Sequence, residues 1–156
     1  MISDKDFLKL LNSKVLLLDG AMGTSIQNYK LQEEDFRNQR FKESHDELKG
    51  NNDLLNLTQP ELIKDIHKSF LEAGSDLIET NTFNSNSISQ GDYGLSHLSY
   101  ELNVQGSFLA KEAIKESGKN ALVVGAIGPT NKTASLSPDV ADPSIRNIDF
   151  DTLVMN

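Results

Sequence analysis

Three short apolar runs, separated by long helical patterns, constrain the fold of this chain more than any other feature. The runs cover residues 15–18, residues 76–78 with an extension to 80, and residues 121–127. None of them alternates between apolar and polar residues, as a strand with one solvated face would. Continuous apolar strands between helices are typical of parallel sheets covered on both faces. We therefore predict an α/β fold with three parallel strands.

Two of the connecting segments carry clear helix signals. Thr58 and Glu61 have the spacing of a capping box, in which a threonine oxygen accepts from the amide three residues later. The apolar stripe that follows consists of Leu62, Ile63, Ile66, Phe70 and Leu71. Gly74 supplies a left-handed position at which this helix can end.

A second long helix is predicted over residues 96–117, with Gly118 as its end. One side of it carries Leu98, Leu102, Leu109 and Ala113. Gly106 lies inside this helix, where a glycine costs about 1 kcal/mol relative to alanine. We expect close packing on the sheet to compensate, and a merely weak helix is the alternative. Shorter helical patterns cover residues 3–11 and begin again at residue 148.

Two connections are longer than is usual between such elements. The first, residues 22–57, contains the charged stretch QEEDFRNQRFKES, which predicts a solvated helix or a surface loop. The second, residues 83–95, has the polar sequence FNSNSISQGDYGL. Loops of this length in a compact domain tend to be functional.

Polar residues and glycines follow each predicted strand. The strand ends read Asp19-Gly20, Glu79-Thr80-Asn81-Thr82 and Gly128-Pro129-Thr130-Asn131. In parallel α/β folds the carboxyl ends of the strands form one rim, and ligands bind there. Asp19 could bind a ligand amine at this rim, and Gly20 lets the ligand approach the backbone. The alternative is that Asp19 only caps a turn or a helix.

Glu79 and Asn81 are two residues apart and therefore share one face of their strand. They are either ligand contacts or polar residues that satisfy the amides of a loop. The turn at residues 20–23 lacks the lysine of a phosphate-binding P-loop and the glycine spacing of a dinucleotide fingerprint. The three histidines lie far apart in the sequence, so we predict no histidine metal site.

The charge balance limits the possible partners. The chain carries 15 basic and 23 acidic residues, a formal net charge of −8, with a pI of about 4.8. This charge disfavours nucleic acid as a partner. The amino terminus has no apolar signal-peptide core, and no stretch approaches the roughly 18 apolar residues of a membrane span. We therefore expect a soluble cytoplasmic protein without membrane association.

Five stretches of the sequence, in order, resemble one known family. They are LLLDGAMGTSIQ, LKGNNDLLNLTQPELI, AGSDLIETNTFNS, VGAIGPTNKTASLSPDV and DPSIRNIDFDTLV. Together they cover nearly the whole chain and are similar to the amino-terminal homocysteine-binding region of the cobalamin-dependent methionine synthases. KGNNDLL and GPTNKTASLSPDV resemble these enzymes in particular, whereas betaine-dependent homocysteine methyltransferases share the DG turn and a strand like LIETNTF.

The resemblance implies a (βα)8 TIM barrel in which zinc, held by three cysteines, binds the homocysteine sulfur as a thiolate. Metal binding lowers the pKa of the thiol, so that a nucleophile forms at neutral pH. In the complete enzymes the thiolate takes a methyl group from methylcobalamin, which methyltetrahydrofolate on a separate barrel then remethylates. By the same resemblance, Asp19, Gly20, Glu79, Asn81 and Asn131 are the substrate-binding candidates.

The sequence departs from the family pattern in two respects. It contains no cysteine, and its 156 residues are fewer than the roughly 200 or more of a full barrel. We therefore expect residues 1–156 to be the truncated amino-terminal part of the barrel, about its first three strand-helix units, and to be inactive alone. The expected partners are homocysteine, the remaining barrel, the folate and cobalamin domains, and further copies that associate through exposed sheet edges.

Two other functions remain open from the sequence. The first is a small doubly wound nucleotide-binding or regulatory module that uses the turn at residues 20–23 for phosphate, although the missing phosphate fingerprint weakens this hypothesis. The second is a non-catalytic interaction domain that docks through its sheet edges. The ordered run of matching stretches favours the homocysteine-binding domain over both.

Overall fold

Two short parallel strands and the helices around them form the fold. The computed structural model describes residues 2–155. Strand β1 (Leu77–Glu79) pairs in parallel with strand β2 (Leu122–Val124). The helices are α1 (Asp4–Ser13), α2 (Met22–Asn28), α3 (Glu33–Arg37), α4 (Leu55–Thr58), α5 (Pro60–Ala73), α6 (Ser87–Gln90), α7 (Ser99–Ser117) and α8 (Phe150–Val154). Short 3-10 turns cover Asn52–Leu54, Gly91–Tyr93 and Ser96–Leu98. The described chain is a helix-rich α/β fold, with a smaller sheet than predicted.

The first predicted strand, residues 15–18, forms only one bridge of a ladder. Leu18 pairs in parallel with Leu77, and the Leu77 N–H donates to the Leu17 carbonyl at 3.0 Å. The side chain of Val15 is 84% exposed, and that of Leu17 is 56% exposed. The expected strand covered on both faces is therefore wrong here, because no layer within residues 2–155 buries these apolar side chains.

Helices α5 and α7 cover one face of the two strands. Ile78 of β1 is fully buried and clusters with Leu71 of α5 and with Ala110 and Ala113 of α7. Glu79, on the opposite face of β1, is only partly buried. The segment around Leu18, β1 and β2 lie side by side in chain order, joined by α5 and α7, so their carboxyl ends meet at one edge.

The larger hydrophobic core lies among the helices. It includes Phe36 of α3 and Phe41, both from the charged stretch 32–44, packed with residues such as Leu54 and Ile63. The prediction that this stretch is merely solvated is therefore wrong. Burying an aromatic side chain stabilises a fold by about 1.5–3 kcal/mol, so two of them anchor a segment that is otherwise polar.

Helix α5 begins without the predicted capping box. Thr58 belongs to α4, and its Oγ1 donates to the Leu54 carbonyl at 3.4 Å. Gln59 is the N-cap residue of α5 and makes no side-chain cap bond. Because the residues before Thr58 are helical, its backbone does not take the extended conformation of a cap. The predicted helix end at Gly74, with a φ of 105°, is confirmed.

Helix α7 agrees closely with its prediction. Leu98, Leu102, Leu109 and Ala113 are all buried, and Gly118 ends the helix with a φ of 66°. A Cβ at Gly106 would lie 2.6 Å from Thr82 Cγ2 and 3.0 Å from Asn56 Nδ2. Close packing at this glycine is confirmed, although its neighbours are the segment after β1 and helix α4 rather than the sheet itself.

The two ends of the described chain are helical, as predicted. Ser3 caps α1, and its Oγ accepts from the Asp6 N–H at 3.2 Å. Helix α8 lies in the segment that begins at residue 148. Across residues 2–155, none of the helices has the length and apolar character needed to cross a bilayer.

Candidate functional site

A cavity of about 340 Å³ lies at the carboxyl end of the strands. Its wall comes from the segments that follow Leu18, β1 and β2, together with the turn that leads into α4. The lining residues are Asp19, Gly20, Ala21, Met22, Gly23, Gly50, Asn52, Asp53, Glu79, Thr80, Asn81, Phe83, Asn84 and Ala126. The structure thus brings together Asp19, Gly20, Glu79 and Asn81 from the five residues predicted.

Strand β1 fixes the position of Asp19. The Asp19 N–H donates to the Leu77 carbonyl at 2.9 Å, and Asp19 Oδ1 accepts from the Glu79 N–H at 2.9 Å. Burial raises the pKa of the Asp19 carboxyl to about 6; the Glu79 amide lowers it in part, and the negative charge of Glu79 raises it. A carboxylate that solvent and protein stabilise this poorly gains more from a bound cation than a surface carboxylate does.

Carboxylates dominate the electrostatics of the cavity. Asp19, Asp53 and Glu79 all lie in its wall, and the described lining contains no lysine, arginine or histidine. An ammonium group would offset the cost of placing these carboxylates near one another in a partly dry site. The same charges repel phosphate. The cavity is therefore suited to a ligand that presents an amine.

Asn81 ties two parts of the cavity wall together. Its Nδ2 donates to the Asn52 carbonyl at 2.8 Å and to Asn56 Oδ1 at 3.1 Å. In return, Asn56 Nδ2 donates to the Asn81 carbonyl at 2.7 Å. Both donors of the Asn81 amide are used within the protein. Asn81 therefore positions the Asn52 backbone, and only its side-chain oxygen is left for a ligand.

The turn after Asp19 leaves room beside the backbone. Ala21, with a φ of 51°, is the N-cap of α2. A Cβ at Gly20 would meet nothing within 4 Å, and one at Gly23 would lie 3.7 Å from Asn52 Nδ2. Packing within the described protein does not require glycine at position 20, so the open space there is available to a ligand.

Asn131 lies outside this cavity. It is exposed, and its Nδ2 donates to Asp92 Oδ2 in the 3-10 turn at Gly91–Tyr93. The structure therefore does not bring Asn131 together with the other predicted site residues.

Asn52, Asp53 and Asn84 line the cavity although they were not predicted as site residues. The first two belong to the stretch KGNNDLL, which contributed to the family resemblance. They precede a helix instead of following a strand, so the rule that ligands bind at strand ends does not select them. Asn84 lies in the polar segment 83–95, whose length was its only signal.

This chain does not supply the zinc site that the resemblance implies. It has no cysteine, and the part of the chain that the structure describes has no group of three or more histidine, aspartate or glutamate residues that could hold a metal ion. His67 is fully buried in α5 and is not part of the cavity wall. Cysteine ligands for zinc would have to come from outside this chain.

The sequence and the structure are both similar to known proteins. A family model described as homocysteine S-methyltransferase matches residues 16–155. The metallated form of the homocysteine methyltransferase MmuM from Escherichia coli is 24% identical with a TM-score of 0.58, over 78% of this chain and 40% of that one. The oxidized form of MmuM is 25% identical with a TM-score of 0.59, over 77% and 39%. The chain therefore spans 40% or less of the length of either structure.

Proposed function

The chain belongs to the homocysteine S-methyltransferase family, and on this premise we propose that it supplies the homocysteine-binding part of a methyltransferase. One observation carries the proposal: Asp19 and Glu79 share a cavity at the strand ends that has no cationic side chain in its described lining. Homocysteine carries an α-ammonium group. In this proposal Asp19 pairs with that group, Glu79 adds a second negative charge, and Gly20 leaves room for the substrate.

We propose further that the parent enzyme is a cobalamin-dependent methionine synthase. The ordered stretches of similar sequence support this assignment. The residues around Leu18, β1 and β2 are parallel neighbours joined by α5 and α7, which is the order that the first three strands of a (βα)8 barrel would have. On this proposal the remaining barrel and the folate and cobalamin domains are the partners of residues 1–156.

The proposed role of this chain is limited to the amino-acid end of homocysteine. The cysteine ligands for zinc are not in this chain, and no residue of the cavity is assigned to cobalamin or folate. We therefore expect these residues to bind and orient the substrate, while other parts of the enzyme hold the metal and the methyl donors. The chain alone is not expected to catalyse methyl transfer.

Isothermal titration of L-homocysteine into the chain under reducing conditions tests the proposal. We expect the wild type to bind and Asp19→Asn to bind at least about tenfold more weakly, because a neutral amide cannot form an ion pair with the ammonium group. Glu72→Gln removes a charge on an exposed residue of α5 outside the cavity, and it should bind like the wild type. Lack of binding by the wild type, or an unchanged Kd for Asp19→Asn, would contradict the proposal.

Two further titrations test the nucleotide-binding alternative and the role of Asn131. If a nucleotide binds to the chain and homocysteine does not, the nucleotide-binding module is supported. The carboxylates of the cavity disfavour this outcome. Asn131→Ala tests the predicted site residue that lies outside the cavity. Weaker binding of homocysteine by this variant, that is, a higher Kd, would keep Asn131 among the substrate-binding candidates. An unchanged Kd would remove it.

A further inference from the structure

Residues 83–85, which follow β1, form one wall of the cavity. Phe83 and Asn84 line the cavity, and the neighbouring Ser85 is buried. A wall made by a loop provides a preformed site only if other residues hold the loop in one conformation. The side chains that hold residues 83–85 therefore matter for ligand binding as much as those that line the cavity.

Asp53 accepts two hydrogen bonds from this wall on a single oxygen. The Asn84 N–H and the Ser85 hydroxyl both donate to Asp53 Oδ2 at 2.7 Å. The Asp53 residue is only 3% exposed. A buried carboxylate needs hydrogen bonds to replace the water that it has lost, and here both donors belong to the cavity wall.

A buried pair of amides holds the same wall at a second point. Asn51 Nδ2 donates to Gln90 Oε1 at 2.8 Å, and Gln90 Nε2 donates to Asn51 Oδ1 at 3.2 Å. Gln90 Nε2 also donates to the Asn84 carbonyl at 3.1 Å. The peptide groups on either side of Asn84 are thus fixed by Asp53 at the N–H and by Gln90 at the carbonyl.

Helix α7 and the segment after β2 add contacts that do not replace Asp53. Ser99 Oγ and Asn103 Nδ2 donate to the Ser85 carbonyl at 2.8 and 2.7 Å. The Gly128 N–H donates to the Phe83 carbonyl at 3.0 Å. In the structure each of these groups donates to a carbonyl group of the wall. The Asn84 N–H and the Ser85 hydroxyl donate to Asp53 instead.

We infer that Asp53 is a positioning residue, which keeps residues 83–85 in the conformation that forms the wall of the ligand cavity. The identity of the ligand rests on the proposed homocysteine-binding function. The positioning role of Asp53 rests on the hydrogen bonds alone. Both of these hydrogen bonds end on Asp53 Oδ2, so an asparagine can keep an accepting oxygen in the same place. Asp53→Asn therefore keeps the accepting oxygen, and Asp53→Ala removes it.

The test compares these two variants with the wild type at a temperature at which all of them are folded. Asp53→Ala should bind homocysteine at least about tenfold more weakly, because it leaves two donors of the wall without an acceptor. Asp53→Asn should bind homocysteine at least about threefold more tightly than Asp53→Ala, because its amide oxygen can still accept from the Asn84 N–H and the Ser85 hydroxyl. The loss of the Asp53 charge accounts for any difference from the wild type that is left. In hydrogen exchange, the Asn84 amide should exchange at least about tenfold faster in Asp53→Ala than in Asp53→Asn.

Leu71→Ala is the matched control, because Leu71 is buried in the smaller core cluster and not in the cavity wall. It should lower the unfolding temperature without weakening homocysteine binding. If Asp53→Ala binds as tightly as the wild type, or if Leu71→Ala weakens binding as much, the inference is overturned. If Asp53→Ala does not fold, Ser85→Ala decides, because it removes the hydroxyl that donates to Asp53 Oδ2. Weaker binding and faster exchange of the Asn84 amide would support the inference, and wild-type values would refute it.

The two proposals fail in different ways. If the wild type does not bind homocysteine, the proposed function is wrong, and the exchange rate of the Asn84 amide still decides whether Asp53 holds the wall. If the wild type binds but Asp53→Ala binds equally well, the proposed function stands and the positioning role of Asp53 is wrong.

Discussion

Asp19 shows how a candidate binding residue can lower the stability of the fold that carries it. Its carboxyl is partly buried and faces the charge of Glu79, and burial is the main reason that its pKa rises to about 6. A raised pKa means that the folded protein disfavours the ionised form relative to the unfolded chain. The charge that would attract an ammonium group therefore weakens the free protein at neutral pH.

We predict that Asp19→Asn stabilises the free protein at pH 7 by roughly 1 kcal/mol, after allowance for solvent screening at a partly buried site. The stability linked to the neutral carboxyl is fully present below about pH 3.8 and is lost as the pH rises through about 6. The gain of the variant should therefore disappear near pH 4. Urea unfolding at pH 7 and pH 4 measures both values, and a destabilised variant at pH 7 would show that Asp19 serves the fold.

His67 has the opposite pH dependence. It is fully buried in α5, neither ring nitrogen has a hydrogen-bond partner within residues 2–155, and burial lowers its pKa to about 4. Its neutral form is therefore favoured in the folded protein. The stability linked to this form is fully present above the unfolded pKa of about 6.5 and is lost as the pH falls toward 4.

We predict that the free energy of unfolding of His67→Leu rises relative to that of the wild type by about 2 kcal/mol as the pH falls from 7 to 5. The reason is that the wild-type histidine takes up a proton on unfolding at pH 5, whereas leucine takes up none. Chemical denaturation at the two pH values measures this difference. His97→Gln changes an exposed histidine and serves as the control, with no comparable gain expected. The same measurements on Asp19→Asn give the contribution of Asp19, which is subtracted. If the wild-type protein is then equally stable at both pH values, the prediction is contradicted.

At the scale of elements, Gly106 is where helix propensity and packing disagree. Alanine is better than glycine in a helix by about 1 kcal/mol, but a Cβ here would overlap Thr82 and come close to the Asn56 amide. Asn56 is the residue that exchanges hydrogen bonds with Asn81 in the cavity wall. We predict that Gly106→Ala destabilises the fold by about 1–3 kcal/mol, because overpacking outweighs propensity.

Thermal unfolding of Gly106→Ala beside Lys111→Ala measures this effect. Lys111 is an exposed residue of the same helix, so its replacement should change stability by less than about 0.5 kcal/mol. Homocysteine affinity should also fall in Gly106→Ala if Asn56 moves. A stabilised Gly106→Ala would mean that α7 can shift away from α4 without cost.

The helices were more predictable than the strands because their signals are local. The stripe of α5 and the glycine after α7 depend on residues within a few positions of one another. The capping box failed because the residues before Thr58 continue into a helix of their own. The exposure of residues 15–18 depends on what covers them, which no local pattern encodes.

In the candidate site, too, the residues with a local sequence signal were predictable and those placed by tertiary packing were not. Asp19 and Glu79 could be selected because each follows an apolar run, and parallel topology places such positions at one edge. Asp53 could not be selected, because tertiary packing alone places this acid against the wall that contains Asn84. Asn131 follows β2 in sequence, but it lies outside the cavity and its side chain donates to Asp92.

At the scale of the whole molecule, apolar side chains remain uncovered around the sheet. Val15 and Ile127, near the first and last of the parallel segments, are 84% and 95% exposed. Covering one such side chain stabilises a protein by about 1.5–3 kcal/mol. The net charge of −8 opposes contact between copies, but salt at physiological concentration screens charges over about 8 Å. Burial of several apolar side chains should therefore outweigh charge repulsion.

We predict that the isolated chain associates as its concentration rises, because contact between copies buries these side chains and pairs the free sheet edges. Sedimentation equilibrium at several concentrations measures the association, and calorimetry should show a broad, concentration-dependent melt. The double variant Val15→Glu and Ile127→Glu should shift the equilibrium toward the monomer, whereas Lys119→Glu, an exposed position after α7, should shift it much less. A sharp two-state melt of a monomer at every concentration would mean that the described fold tolerates its uncovered sheet.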